Sequence, residues 1–501
     1  MTTPTTTPDM SGTQDMSKRQ GLITVNDLNY VLEPDLSVAT NKTHKKHFFQ
    51  SSSYDPGQQG ICILNSGADY IDTRRSFLSF TFTATATTGT TYTLGALGTA
   101  CNLIKNITIS TRSGDELCRI TDYNTLQHMM LPMTYDEEWF QTTGQLMGYN
   151  NRLQQGTGAA ADAVSQRFII PMYVLSPLFA YGRLMPAMLM SGMRIEIEWE
   201  DAIKPFFATA TGATTVRDLT GDGQLLTPKI SDPYFSLASV QLSDSIQRAL
   251  NELSATNGLE VVYCDWERTT ANNSNNLDTV NIEVRKSCSR ALKAFARVRA
   301  TGGDDANNTP MVDARKDSFR AELQFPVTEY QWQLGSLYFP QQPVKAATAQ
   351  DCGIESYAHV LEAVDKFHGD AEQPFIGLRG GGDFHGSQFS SQVANTADPY
   401  TLAFVTNVNG ASTIGTYASY MLDSHVIGVT LERSTMFNLA GVPVNNSRVL
   451  ALRAKLQTST SGEVKNSDGT AITTATHRKI DVFLKYVKLA RVFLNNVEVE
   501  Q

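Results

Sequence analysis

The chain is poor in charge of either sign, has no paired cysteines, no apolar leader and no block of basic residues, and each of these absences removes a class of function. Charged residues make up 18% of the 501 residues, below the roughly 25% usual for soluble proteins. The net charge of -9 leaves no basic surface to neutralise phosphates, so a sequence-specific nucleic-acid partner is not expected. The six cysteines, Cys62, Cys101, Cys118, Cys264, Cys288 and Cys352, stand far apart, which argues against a zinc cluster or a disulfide scaffold and for buried thiols. The N-terminal stretch MTTPTTTPDMSGTQDMSKRQ has no apolar core, so no secretory signal is expected and synthesis inside a cell follows. Residues 168 to 182 carry no charge, but Pro171 and Pro177 break a run already too short to cross a bilayer; no transmembrane segment is expected.

What is present is alternation. Leu78, Phe80, Phe82 and Ala84 interleave with Ser79, Thr81 and Thr83, and the same period of two recurs at Ile107/Ile109, Ile195/Ile197/Trp199, Val280/Ile282/Val284, Leu292 to Val298 and Ile480 to Tyr486. Gly, Asn, Asp and Pro punctuate these runs, predicting many short strands and an all-β sandwich or barrel. Because single cores stop growing near roughly 250 to 300 residues, two domains are expected. A faint repeat, Arg75 with Phe80 and Arg290 with Phe295, is consistent with duplication.

The spacing predicts a helix over 244–257, with Ile246, Leu250 and Leu253 on one face, Asp244 and Gln247 placed as a capping box and Asn257-Gly258 as the stop. A second helix is predicted over 354–368, with Ile354, Tyr357, Leu361 and Val364 on its apolar face. These readings divide the chain into an arm over 1–58, its first 20 or so residues mobile, a first barrel over 59–243, a connecting helix over 244–258 and a second barrel over 259–501. In the arm region Lys42, Lys45 and Lys46 offset Asp27, Glu33, Asp35 and Asp55.

Several constellations bear residue types that chemistry uses. Glu196, Glu198 and Glu200 share one face of a strand, their carboxylates about 6 to 7 Å apart, and resemble the E-x-D-x-E strand motif of jelly-roll β-glucanases. The middle position is Glu rather than Asp, aromatic residues suited to a sugar cleft are few, and Arg194 shares the face. A charged solvent or contact face is the simpler reading. His359, Glu362 and His368 lack zinc-hydrolase spacing, the glycine-rich run 377–386 lacks the ending of a phosphate-binding loop, and Asp218, Gly221, Asp222 and Gly223 supply too few oxygens for calcium. No catalytic residue, cofactor or metal is assigned. Asn41, Asn106, Asn272, Asn307 and Asn445 begin Asn-x-Ser/Thr triplets, relevant only if the chain meets a glycosylation system.

Two stretches carry a resemblance. RLMPAMLMSGMRIEIEWED (183–201) and YQWQLGSLYFPQQPV (330–344), with YFSLASVQL, DSIQRALNELSATNG and LEVVYCDW between them in order, resemble the double jelly-roll major capsid proteins of small tailless icosahedral DNA viruses, the virophages and polinton-like viruses. The resemblance covers most of residues 60 to 495. It implies two consecutive eight-stranded jelly-roll barrels joined by a helix, with a few short helices in loops. It also implies a homotrimeric, pseudo-hexagonal capsomer that tiles an icosahedral shell, penton and minor capsid proteins as partners, and residence in the virion. Pro186, Gly192, Arg194, Glu196, Glu198, Gly335, Tyr338, Phe339, Pro340 and Pro343 are the signature residues, and the segments 178–193 and 334–343 are expected to form apolar ridges between subunits. The alternatives are a jelly-roll polysaccharide hydrolase or sugar-binding protein, and a minor capsid or attachment protein.

Overall fold

The computed structural model describes residues 39–86, 92–96, 99–149, 152–156, 163–180, 182–200, 206–210, 226–273, 279–301, 323–324, 327–346, 353–367, 374, 425–432, 441–456, 465–466, 477–493 and 496–500. The expected mobile arm over residues 1 to about 20, Cys352, His368, the glycine-rich run and the Asp218 to Gly223 cluster lie outside them.

The alternating runs become the strands of two barrels. The first holds β1 (Ala39–Phe48), β2 (Gln59–Ile63), β3 (Tyr70–Ala86), β4 (Ile104–Ser110), β5 (Glu116–Ile120), β6 (Ala163–Pro171), β7 (Arg194–Trp199) and β8 (Leu226–Leu242). They pair antiparallel in two sheets ordered β1-β8-β3-β6 and β2-β7-β4-β5. The second holds β9 (Leu259–Asn273), β10 (Thr279–Val284), β11 (Cys288–Thr301), β12 (Val327–Leu334), β13 (Leu337–Lys345), β14 (Ile427–Thr430), β15 (Leu450–Leu456) and β16 (His477–Val492). Its sheets run β9-β16-β11-β14 and β10-β15-β12-β13, so strand for strand the order is that of the first barrel. Two four-stranded sheets in this order are a jelly roll, and the chain contains it twice. A last strand, β17 (Val497–Glu500), pairs with the end of β16.

Period two decides which side chains fill each barrel. Leu78, Phe80 and Phe82 are buried, whereas Thr81 and Thr83 on the other face are half-exposed. Phe80 meets Trp199 edge-on with centroids 5.1 Å apart, joining the two sheets of the first barrel, and Phe49 stacks on Phe235 at 5.5 Å. Each such ring contributes about 1.5–3 kcal/mol by burial. The second core is more aliphatic, with Ile282, Val284, Leu450, Leu452, Ile480, Val482 and Leu484 around Trp332 and Tyr330.

The first barrel begins earlier than the sequence reading places it. Residues 39–48, assigned to the arm, form β1, paired along its length with β8. ATNKTHKKHF carries no apolar alternation because β1 is a sheet edge whose side chains stay largely exposed. Among the described residues its lysines meet groups of the barrel: Lys42 pairs with Asp72 at 3.1 Å, Lys45 bonds Asp69, and Lys46 sits 4.7 Å above the Tyr234 ring.

Three helices matter: α1 (Tyr123–Thr134), α2 (Asp244–Thr256) and α3 (Ile354–Ala363). Helix α2 bridges the barrels, but its N-cap is Ser243 without a side-chain cap bond, so the capping box does not form. Ile246 and Leu250 pack on Tyr70, Ala187, Val240 and Leu242. In α3 the buried residues are Ser356, Val360 and Ala363, while Ile354 is exposed, so the inward face is rotated from the predicted one. The cause is Gly428 in β14, whose missing Cβ would lie 3.2 Å from the Val360 Cα; the helix crosses the strand at that gap.

Arg75 and Arg290 do lie on equivalent strands, β3 and β11. Phe80 points into the first barrel, however, whereas Phe295 pairs with Gly428, the residue that α3 crosses, and packs with Phe483 and Trp266 in the same cluster as Val360 and Ala363 of that helix. A register shift between Ala291 and Lys293 separates the two faces.

Antiparallel order also sorts the connections. Those after the first, third, fifth and seventh strand of each barrel leave at one pole, and those after the second, fourth and sixth leave at the other. The first set includes the four longest connections, among them 121–162 and 346–426. Three connections of this set, all in the first barrel, add a small sheet of Tyr92–Ala96, Arg152–Gly156 and Phe206–Ala210.

Candidate functional site

Glu196 and Glu198 lie on β7 as the period requires and Glu200 just past its end, and neighbours hold all three carboxylates. Glu196 accepts from the Gln59 amide at 2.6 Å and pairs with Arg194 at 2.6 Å. Glu198 accepts from Asn106 at 2.6 Å and pairs with Lys105 at 3.3 Å, and Glu200 accepts from Asn124. Gln59 comes from β2 and Asn106 and Lys105 from β4, the strands that flank β7 in the sheet, while Asn124 reaches over from α1, so the row ties the sheet face to its neighbours. Carboxylate oxygens already engaged by amides and cations are not free to attack a substrate. Glu196→Gln is expected to change stability by less than about 1 kcal/mol, and neither wild type nor variant is expected to turn over β-glucan; loss of a measured hydrolysis rate in the variant would reinstate the enzyme reading.

The two signature segments part company. In the first, Leu178, Phe179, Met185, Pro186, Leu189, Met190 and Met193 are all buried within the chain itself, several around the short helix Ala187–Met190. The expectation of an apolar ridge between subunits over 178–193 is therefore corrected: the Met-rich run fills the irregular end of the first barrel, a use for which the flexible thioether is well suited. Gly192 holds φ +86 and lets the Arg112 side chain pass at 3.0 Å from where a Cβ would sit. Backbone bonds from Gly192 to Leu64 (2.7 Å) and from Leu64 to Met193 (2.8 Å) pin the crossing.

The second segment does stand out from the barrel. Gly335, at φ +60, turns β12 into β13; Leu337, Tyr338 and Pro343 are exposed, with Phe339 and Pro340 half-buried. Phe339-Pro340 is a cis peptide. The Gln331 amide donates to the carbonyls of Pro340 (3.0 Å) and Gln341 (2.9 Å), and Arg453 lies 5.7 Å over the Tyr338 ring. The result is a braced apolar ridge on one edge of the second barrel.

The sequence reading missed the contact between the barrels. Asp265 on β9 and Lys488 on β16 are each 2% exposed and meet at 2.6 Å. Asp265 also accepts from the Tyr486 hydroxyl (3.2 Å) and the Cys118 thiol (2.9 Å), and Lys488 and Tyr263 donate to the Leu117 carbonyl at 3.1 and 2.7 Å. Cys118 and Leu117 belong to β5 of the first barrel, so this cluster bonds the barrels directly. Nearby, Asp122 of the first barrel meets Arg268 of the second at 2.5 Å, and Asp481 holds Arg268 and Arg299 at 2.6 Å each. Burial would push the Asp481 carboxyl up, but the Arg299 and Arg268 guanidiniums outweigh it and hold it below the ordinary carboxylate value. A charged residue inside an apolar run, as Asp481 between Ile480 and Val482, is the only signal that could have marked these positions.

Other candidates stay apart. His359 reaches Glu362 at 3.6 Å, and no group of three metal-ligating side chains is gathered among the described residues. Cys62, Cys101, Cys118, Cys264 and Cys288 are free thiols; burial raises all five, Cys62 to about 12 and Cys101 to about 11, which keeps them unreactive. No helix among the described residues is long and apolar enough to cross a membrane.

Two barrels of identical strand order, joined by α2 and fused through a buried polar contact, define a double jelly-roll protein. Solved structures with this fold include a chain of the Sputnik virophage, at 11% identity and TM-score 0.55 over 94% of this chain and 92% of that one. The mavirus major capsid protein is similar at 11% identity and TM-score 0.52, again over 94% and 92%. The capsid of PBCV-1 virus gives 10% identity and TM-score 0.52 over 95% and 99%. No protein-family model and no curated protein sequence matches the chain.

Proposed function

We propose that this protein is a major capsid protein that assembles as homotrimers and tiles an icosahedral shell. The observation that carries the reading is the locked pair of like barrels. Three copies of two similar barrels present six similar corners, so one chain can occupy hexagonal positions, provided the barrels cannot swing relative to each other. The buried Asp265–Lys488 contact and the Asp122–Arg268–Asp481–Arg299 network supply that rigidity. The braced ridge at Leu337 to Pro343 is a surface suited to contact between subunits, since Pro and aromatic groups lose little entropy on burial. The solved neighbours are capsid proteins, which favours a structural role, residence in the virion, and penton and minor capsid proteins as partners. Amide-clamped glutamates give the hydrolase alternative no support.

Light scattering coupled to size exclusion tests this: a particle of three chain masses that survives dilution is expected, because obligate interfaces commonly exceed roughly 2,000 Å². A stable monomer at near-neutral pH would overturn the trimer and the shell built from it. Negative-stain images of the same fractions should show hexagonal outlines.

A further inference from the structure

At the pole opposite the four longest connections, where α2 passes between the barrels, lies a cleft of about 580 Å³. Tyr70 and Met188 of the first barrel form one apolar wall and Phe493, just past β16, forms another, while α2 contributes the amides of Gln247 and Asn251. Arg112 lies at the rim, exposed, and no carboxylate pairs with it among the described residues. The cleft therefore presents apolar walls, amides and one cation awaiting an anion.

We propose that this cleft is the seat of residues 22–38 of the same chain. That segment, LITVNDLNYVLEPDLSV, is rich in Leu, Val, Ile and Tyr, carries Asp27, Glu33 and Asp35, and contains no Lys or Arg. Its chemistry is the complement of the cleft. The lysines that could have offset these acids are engaged elsewhere, Lys42 with Asp72 and Lys45 with Asp69. Geometry favours the chain's own cleft: Ala39 pairs with Leu242, and α2 begins two residues further on at Asp244. The segment thus enters the described fold about one strand spacing, roughly 4.8 Å, from the strand end that feeds α2. Ten extended residues span about 33 Å, ample to reach Gln247 and Asn251. So short a tether holds the segment at an effective concentration on the order of millimolar, which favours it over a copy from another chain.

The test uses the full chain with a photo-crosslinking benzoylphenylalanine at Gln247. Irradiation, digestion and mass spectrometry are expected to join position 247 to residues 22–38 within species of one chain mass. Arg112→Glu, a change at an exposed side chain, is expected to lower the yield by about fivefold, and adding Asp27→Lys, Glu33→Lys and Asp35→Lys to that variant is expected to restore it. Hydrogen exchange on the unsubstituted, unassembled protein gives a second readout, with the amides of 22–38 protected and that protection lost in Arg112→Glu. Crosslinks confined to other segments, crosslinks to 22–38 only in species of two chain masses, or free exchange of these amides in the wild type would each overturn the proposal.

Discussion

Lys488→Met is expected to destabilise the protein by about 3–5 kcal/mol, because it leaves the Asp265 carboxylate buried with no cation. The remaining donors to Asp265, the Tyr486 hydroxyl, the Cys118 thiol and the Trp266 backbone N–H, are neutral and cannot replace the charge. Removing both charges with Asp265→Leu and Lys488→Met is expected to recover much of that loss, since a matched apolar pair has no ion to desolvate. Urea denaturation of the two single variants and the double variant gives the coupling directly. A single variant within about 1 kcal/mol of wild type would mean that the contact between the barrels does not depend on this pair. If the two barrels unfold as one, the single variant should shift the whole transition.

Acidification should weaken the fold well before the carboxylates titrate. His425, beside β14, is buried, and burial lowers its pKa from 6.5 to about 4. A base whose folded pKa lies below its unfolded one is held neutral by the fold. Its contribution is complete above pH 6.5 and is lost as the pH falls from 6.5 to about 4, where it amounts to about 3 kcal/mol. Asp481 works in a lower window: its depressed pKa adds stability above the ordinary carboxylate value that disappears only as pH falls through the folded one. His425→Leu is therefore expected to flatten the stability profile between pH 6.5 and 4 and to leave the steeper loss below it. A wild type equally stable at pH 7 and pH 4.5, or a variant with the same slope, would sink this account.

The strands were legible because a half-buried strand writes its burial into alternate residues, as Ile195, Ile197 and Trp199 do. The edge strand β1 was not, since exposure on both faces erases that pattern. The Met-rich run announced an apolar environment, but composition cannot distinguish a barrel's own interior from a neighbour's surface, and here the interior claims it. The inward face of α3 was misread because Gly428, distant in sequence, sets where the helix can approach. The glutamate row was found by its spacing, while its engagement by Gln59, Asn106 and Asn124 depends on strand pairing and helix packing that spacing does not reveal. The charged contact between the barrels was hidden for the same reason.

The sorting of connections by pole has a practical consequence for labelling. An epitope inserted in the 121–162 or 346–426 connection and a reporter joined after Glu500 will emerge on opposite faces of the two-barrel unit. On particles of the proposed kind, an antibody against one and a membrane-impermeant dye aimed at the other would then report which face of the unit looks outward.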